Sequence, residues 1–369
     1  MSDDERRARA LLSRLSEPAD RRLGRLLAEM SATEVVELVR RGSARVPGVE
    51  RFVGRLAAAD PDADLARAAE VGGRLLVPGD LEWPSQLDDL GDAAPWALWV
   101  RGTVDLRLSA LRSASVVGSR DSSRYGDHVA STLGSDLAMR GWTVVSGGAF
   151  GIDAAAHQGA LAAGGVTVAV LACGIDVAYP PRHDALFARI AADGLLVSEV
   201  PPGAAPHRTR FLVRNRVIAA LTRGTVVVEA ALRSGALSTA NEAEKLGRPV
   251  VGIPGPVDSG RSQGVHRLLR DGALLVTSAA EVVEALGELG TDLAPRPSGP
   301  LVPRDGLDPL TARVLDAVPA RRPATLDSVA RTAGVAPAEA AGALGLLEVG
   351  GFVRSDGSGW RLAPRGAPR

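Results

Sequence analysis

The chain has almost no cysteine: Cys173 stands alone among 369 residues. A single thiol excludes a disulfide framework and a thiolate zinc cluster. Lysine is as scarce, since Lys245 is the only one and every other basic residue is arginine. A GC-rich genome's codon preference accounts for this bias, so each arginine has to be argued by position. Aromatic residues make up 3% of the chain, as five Trp, five Phe and two Tyr, too few for an extended base-stacking surface. Net charge is zero, with 43 basic against 43 acidic residues. The whole-chain field therefore favours no polyanion, and any anion site must come from local segregation of charge. The longest apolar runs, such as 166–173, fall short of the roughly 20 residues that cross a bilayer. The opening MSDDERRARALLSRL has no charged-then-apolar leader pattern, and the expected compartment is the cytoplasm. No metal-ligand spacing or dinucleotide fingerprint is found, so neither a metal nor a cofactor is expected.

What is present is pattern. Residues 1–71 are rich in Arg, Glu, Ala and Leu, with apolar residues at helical spacing, as at Leu23, Leu26, Leu27 and Met30. They read as a small helical domain, SAM- or helix-hairpin-helix-like, although Val46-Pro47-Gly48-Val49 reads more simply as a loop before a helix. From residue 72 to 287, β-branched runs at 114–118, 143–146, 166–171, 195–197, 225–228, 250–253 and 274–276 alternate with helical stretches. That alternation predicts an α/β fold, a Rossmann-like, mostly parallel sheet with helices on both faces. One helix is explicit in the spacing: Val129, Leu133 and Leu137 recur every four residues, and Gly141 follows as a stop. Residues 288–306 have a linker's proline content. The pattern over 307–363 is three helices and a hairpin turning at Asp356-Gly357, a winged helix; 364–369 is expected to be a disordered tail.

In an open parallel sheet, ligands sit at the carboxyl ends of the strands, close to helix N-termini that favour anions. The loops there are informative. The first holds Gly118, Ser119 and Arg120; the second holds Ser146, Gly147, Gly148, Phe150, Gly151 and Asp153, with His157 one turn on. Glycines before a helix allow a nest of backbone N–H groups for a phosphate, while tight helix–sheet packing asks for the same glycines. Between Glu199 and Glu229 there is no acidic residue, but Arg208, Arg210, Arg214, Arg216 and Arg223 stand there with His207 and Asn215. Arg210 and Arg214 are spaced to share a helix face. For each arginine, a phosphate and a carboxylate elsewhere in the fold are equally good partners. A third donor-rich helix start follows at Arg233, Ser234 and Gly235.

The ordered set VVGSR, SGGAFGIDAAAHQGAL, LACGIDVAYPPRH, SEVPPG, RFLVRNRVIAAL, VVVEAALRSGALSTA and VVGIPG resembles the DNA-processing protein A (DprA/Smf) family. The resemblance covers about residues 72–287, and a helical domain before and a winged helix after are also familiar there. It implies a protein without catalytic activity that binds single-stranded DNA, protects it, and loads the RecA recombinase during natural transformation, with homodimerisation through the central domain. Carried over by motif, the DNA-binding residues are Gly118, Ser119 and Arg120; Ser146, Gly147, Gly148, Gly151 and Asp153; Arg214, Asn215 and Arg216; and Ser234 with Gly235. Phe150 stands where some relatives have a basic residue. It offers either a stacking face or a core or interface aromatic. Phe211, Tyr125 and Tyr179 are the other aromatics near the loops.

The rival reading is an enzyme. Nucleoside-monophosphate phosphoribohydrolases resemble this sheet and use a carboxylate and an arginine at equivalent strand ends, for which Glu229 and Arg214 are the candidates. Their glycine-rich P-G-G-x-G-T loop is absent, since 232–239 has a single glycine. The third winged-helix helix begins Pro337-Ala338-Glu339-Ala340-Ala341-Gly342, without a side chain that reads base edges. Sequence-specific DNA recognition is not expected there, although Arg321, Arg322, Arg354 and Arg361 remain candidates for phosphate or protein contacts.

Overall fold

The computed structural model describes residues 2–46, 48–288, 290–295 and 302–364. The chain divides into two compact units, Met1–Pro295 and Arg296–Arg369. Pro47 of the expected loop, Leu289 and 296–301 of the expected linker, and 365–369 of the expected tail lie outside the described residues.

The first unit opens with helices α1 (Asp3–Leu15), α2 (Arg21–Glu29), α3 (Ala32–Arg40), α4 (Glu50–Leu56) and α5 (Pro61–Glu70). Their starts are set by short polar side chains: Asp20 accepts from the backbone of Arg22 and Leu23, and Ser31 with Glu34 closes a capping box. The buried face, including Leu12, Leu15, Val35 and Val39, does not close on itself. It shares one apolar cluster with Leu75, Val77, Trp96 and Trp99, which lie beyond the expected boundary at residue 71. Trp99 donates from Nε1 to Ser13 Oγ at 3.2 Å, which fixes that junction.

The sheet follows as β1 (Gly73–Leu76), β2 (Leu98–Arg101), β3 (Ser113–Val117), β4 (Thr143–Ser146), β5 (Thr167–Val170), β6 (Leu195–Ser198), β7 (Thr225–Val227), β8 (Val250–Gly252) and β9 (Leu274–Leu275). Spatial order is β1-β2-β6-β5-β4-β3-β7-β8-β9, and only the pairings of β1 with β2 and β2 with β6 are antiparallel. The intervening helices are α6 (Leu106–Leu111), α7 (Arg124–Met139), α8 (Ile152–Ala162), α9 (Asp184–Asp193), α10 (Arg208–Leu221), α11 (Gly235–Lys245), α12 (Gln263–Arg270) and α13 (Ala279–Leu286).

Alternation along each strand sorts the side chains between two layers. Val117, Val145 and Val227 face the cluster containing α10, α11 and α12, whereas Val116, Val144 and Val226 face the one containing α7, α8 and α13. This is the mostly parallel, doubly covered sheet that the sequence predicts. In α7 the periodic Leu133 and Leu137 are buried with Ala130, and Gly141, at φ +72°, ends the turn. The order reverses between β3 and β7, so the loops after them leave toward opposite faces and open a crevice.

The second unit contains α14 (Pro309–Ala317), α15 (Leu326–Ala333), α16 (Pro337–Val349), β10 (Val353–Ser355) and β11 (Trp360–Leu362). Asp308 and Thr325 cap the first two helices. The strands pair antiparallel around Arg354 and Arg361, with Gly357 at φ +81° in the turn. Val314, Leu315, Val329, Leu344, Leu347 and Val353 form its core. It is a winged helix.

Candidate nucleic-acid interface

The crevice between β3 and β7 is an open cleft of about 500 Å³. Its lining includes Gly118, Ser119 and Arg120 from the loop after β3, Ala149 and Asp153 from the start of α8, Phe211, Arg214 and Asn215 from α10, and Arg233, Ser234 and Gly235 from the start of α11. Loops more than 100 residues apart in sequence are thus brought to one place by the strand order.

Glycine in the first loop answers a close approach. A Cβ on Gly118 would sit 2.4 Å from Ile152 Cγ1. Ser119 donates its backbone N–H to Glu229 O at 2.7 Å and its hydroxyl to Asp121 O at 3.0 Å. The guanidinium of Arg120 lies 4.9 Å from the centroid of the Phe211 ring, a cation–π contact.

The second loop departs from expectation. Gly148 and Gly151 have φ of +68° and +75°, so the chain does turn through a glycine nest. Two of its N–H groups are already used: Gly147 and Ala149 donate to Asp153 Oδ2 at 3.2 and 3.3 Å. Asp153 thus takes two of the donors that a phosphate would use. Burial pushes its carboxyl above the ordinary range, opposed by the charge of Arg214 and by those N–H donors. Ser146 is fully buried and donates to Val116 O at 2.7 Å, which ties β4 to β3 beneath the cleft.

Arg214, Asn215 and Arg216 separate on the surface of α10. Arg214 is 6% exposed and donates to the carbonyls of Gly147, at 2.9 Å, and Val170. Desolvation lowers its pKa to about 10, so it stays charged at neutral pH under the cleft floor. Asn215 donates to Gly235 O at 3.3 Å and holds α10 against the start of α11. Arg216 does not line the cleft; it forms a buried two-point pair with Glu199, at 2.6 Å in both contacts. For this arginine the protein partner prevails, because a buried guanidinium without one would leave its charge uncompensated. Arg210 likewise pairs with Glu17. Ser234 caps α11 by accepting from Ala236 N at 3.3 Å, and the space around Gly235 is open.

The side chains best exposed to a ligand include two that the motif-based set omits. Arg208 and Arg233 line the cleft with Arg120, and among the described residues no carboxylate pairs with any of the three. The signal was in the sequence: Arg208 opens α10 in the acid-free stretch and Arg233 adjoins Ser234. Of the carboxylates in the lining, Asp121 is paired with Arg261 at 2.6 Å and Asp153 is held in the nest. The cleft is therefore positive although the chain is neutral.

Other candidates are placed elsewhere. Glu229 is 1% exposed and accepts from Ser123 N and Oγ, at 2.9 and 2.6 Å, at the start of α7. It is not among the residues lining the cleft, and its carboxylate is engaged by Ser123 rather than by Arg214. His157 makes no bond to Asp153; its Nδ1 is 2.7 Å from Thr167 Oγ1, and burial lowers its pKa to about 3. Phe150 packs edge-on to His183 at 4.7 Å, and Tyr125 donates to Pro254 O. Cys173 is buried, which raises its thiol pKa to about 11 and leaves it unreactive. No group of acidic, histidine or cysteine side chains able to hold a metal occurs among the described residues.

With this geometry in hand, likeness to known proteins becomes informative. The sequence model of the DNA recombination-mediator protein A family matches residues 74–287, and that of the DprA winged helix domain matches 297–359. The chain belongs to the DNA recombination-mediator protein A family. It is 45% identical to a putative DNA processing protein DprA of Mycobacterium tuberculosis over 385 residues, covering 100% of this chain and 97% of the relative. It is similar to the X-ray structure of DNA processing protein A from Streptococcus pneumoniae, with a TM-score of 0.59, 38% identity, and coverage of 66% of this chain and 83% of that one. A Helicobacter pylori DNA processing protein A, solved in work on its single-stranded DNA binding mode, aligns with a TM-score of 0.52 at 30% identity, over 58% of this chain and 95% of that one. Among the described residues, no helix of this family member is long and apolar enough to cross a membrane.

Proposed function

We propose that this protein binds single-stranded DNA in the cleft between β3 and β7 and acts there as a binding protein, without catalysis. The observation that carries the reading is the set of guanidiniums of Arg120, Arg208 and Arg233, none paired with a carboxylate among the described residues, lining one cleft in which Arg120 stands over the Phe211 ring. Flexible single strands present phosphates at a spacing that separate arginines can follow, and an unpaired base offers a face to one aromatic ring. Arg214 adds charge from below, while Gly118, Ser119, Ser146, Gly147, Gly148, Gly151, Asp153, Asn215, Ser234 and Gly235 shape the floor and walls. Arg216 acts through structure alone. Recognition by backbone and stacking makes binding largely independent of sequence.

In the cytoplasm, this activity would protect incoming single strands and deliver them to the RecA recombinase during natural transformation and recombination. Family membership and the single-stranded DNA binding mode of the Helicobacter pylori relative support that extension. Homodimerisation through the central domain belongs to the same reading. The outer edge of β9, with Leu274 and Leu275 more than half exposed, is a surface suited to it.

The test is fluorescence anisotropy of labelled oligo-dT with wild type, Arg120→Ala and Arg233→Ala across a salt series. Each variant is expected to bind more weakly, with the slope of log K against log salt reduced by about 0.7. Unchanged affinity in both variants overturns the reading.

A further inference from the structure

The first turn of α10 carries Arg208 and Phe211 into the cleft, yet little in its own sequence holds it. His207, at the N-cap, makes no side-chain cap bond, and the first turn has no acidic residue. Arg208, Thr209 and Leu212 are exposed, and continuous burial begins only at Arg214. An uncapped, unburied turn frays.

Three contacts from the N-terminal segment, from α1, from the α1–α2 loop and from α5, meet at this turn and at the loop leading into it. Arg210 donates from Nε and Nη2 to the two carboxylate oxygens of Glu17, at 2.7 and 2.8 Å, and from Nη1 to Ala205 O at 2.9 Å. Arg14, in α1, donates to Pro202 O at 2.9 Å. Arg67, in α5, donates to Asp176 Oδ2 at 2.6 Å, and the other oxygen of Asp176 accepts from Gly203 N at 2.7 Å. The hydrogen bond from Arg210 holds the Glu17 carboxyl below its ordinary range.

We infer that the N-terminal helical segment is a clamp on the DNA cleft, with Glu17 and Arg210 as positioning residues that order the first turn of α10 without touching DNA. The inference rests on the cleft being the DNA site. It gives the helices a part in binding that their own surface does not advertise, because Arg and acidic residues alternate there. A clamp raises affinity by ordering Arg208 and Phe211 before the strand arrives, so the ordering entropy is not lost on binding.

The experiment measures oligo-dT affinity and salt slope for full-length Glu17→Gln, Arg210→Gln and the double variant, with Arg233→Ala alongside, and amide exchange over 206–212. Glu17→Gln is expected to weaken binding about three- to fivefold, the worth of one well-formed exposed ion pair. The salt slope stays that of wild type, exchange over 206–212 quickens, and the double variant binds no worse than either single one. Tighter or unchanged binding by Glu17→Gln overturns the clamp. So does an Arg210→Gln slope reduced by about 0.7 whichever residue stands at 17, which would make Arg210 a direct phosphate contact. If Arg233→Ala also binds as wild type, the cleft reading falls and takes the clamp with it; if Arg233→Ala is weak while the Glu17 and Arg210 variants are silent, only the clamp falls.

Discussion

Two regions of this protein have architectures associated with nucleic acid, the crevice of the parallel sheet and the winged helix, and they differ in what their charges are doing. In the crevice, Arg120, Arg208 and Arg233 face solvent with no carboxylate against them among the described residues. In the winged helix, α16 presents Ala338, Ala341, Gly342, Gly345 and Leu346 outward and Arg361 on the wing pairs with Asp356 at 3.4 Å, while Arg321, Arg322 and Arg354, exposed and without a carboxylate partner among the described residues, stand off α16, in the loop before α15 and on β10. A fold assigns neither region its function. What sets the crevice apart is that its unneutralised cations gather on one cleft beside an aromatic ring, since a phosphate gains little from an arginine that already has a carboxylate.

The comparison can be broken most directly by reversing charge in the crevice. Arg120→Glu with Arg233→Glu is expected to weaken oligo-dT binding at least about 100-fold at moderate salt, by loss of two phosphate contacts and added repulsion. Anisotropy titration reads this, and a loss under about fivefold would remove the crevice as the main site.

The next effect concerns stability and distinguishes the unit with a buried histidine from the winged helix, which has none. His157 has a folded pKa of about 3 against an ordinary 6.5. The unfolded chain therefore binds the proton first. The stability of the neutral buried ring is present above pH 6.5 and is lost as pH falls toward 3, at about 1.4 kcal/mol per pH unit. Moving from pH 7 to 5 should cost the sheet unit about 2 kcal/mol from this residue. Urea melts of wild type and His157→Gln should show a flatter pH dependence in the variant between pH 6.5 and 4; parallel curves would refute the assignment.

Phe211→Ala isolates stacking from charge. About tenfold weaker binding is expected, within the range for one base on one ring, with the salt slope unchanged. A changed slope would show that the ring serves mainly to hold Arg120. The smallest effect is expected at the other region: a chain ending at Pro295, where the first compact unit ends, should bind oligo-dT within about threefold of the full chain. A drop beyond tenfold would mean that the wing takes phosphates after all.

Much of the fold was legible because its causes are local. The strands from 113 to 275, the helix through Leu133 and Leu137, and its stop at Gly141 follow from side-chain periodicity and backbone preference within a few residues. Packing across the boundary drawn at residue 71 was not legible, because Leu12 and Trp99 enter one apolar cluster from far apart. Within the site, the glycines and the acid-free arginine stretch located the right loops, yet not the duty of each member. Asp153, carried over as a DNA-binding residue, accepts from the N–H groups of Gly147 and Ala149. Glu229, the candidate base, instead accepts from Ser123, the N-cap of α7.

Sequence by itself determined the alternation of strands and helices, and hence that several glycine- and arginine-bearing loops would meet at the carboxyl edge of a parallel sheet. The tertiary structure alone decided which arginines remain available. Arg210 is neutralised by Glu17 from 193 residues away and Arg216 by Glu199, whereas Arg120, Arg208 and Arg233 meet no acid among the described residues. Backbone preference acts over one or two turns and can be read along the chain; a charge pair depends on which distant segment the fold brings within a few ångströms.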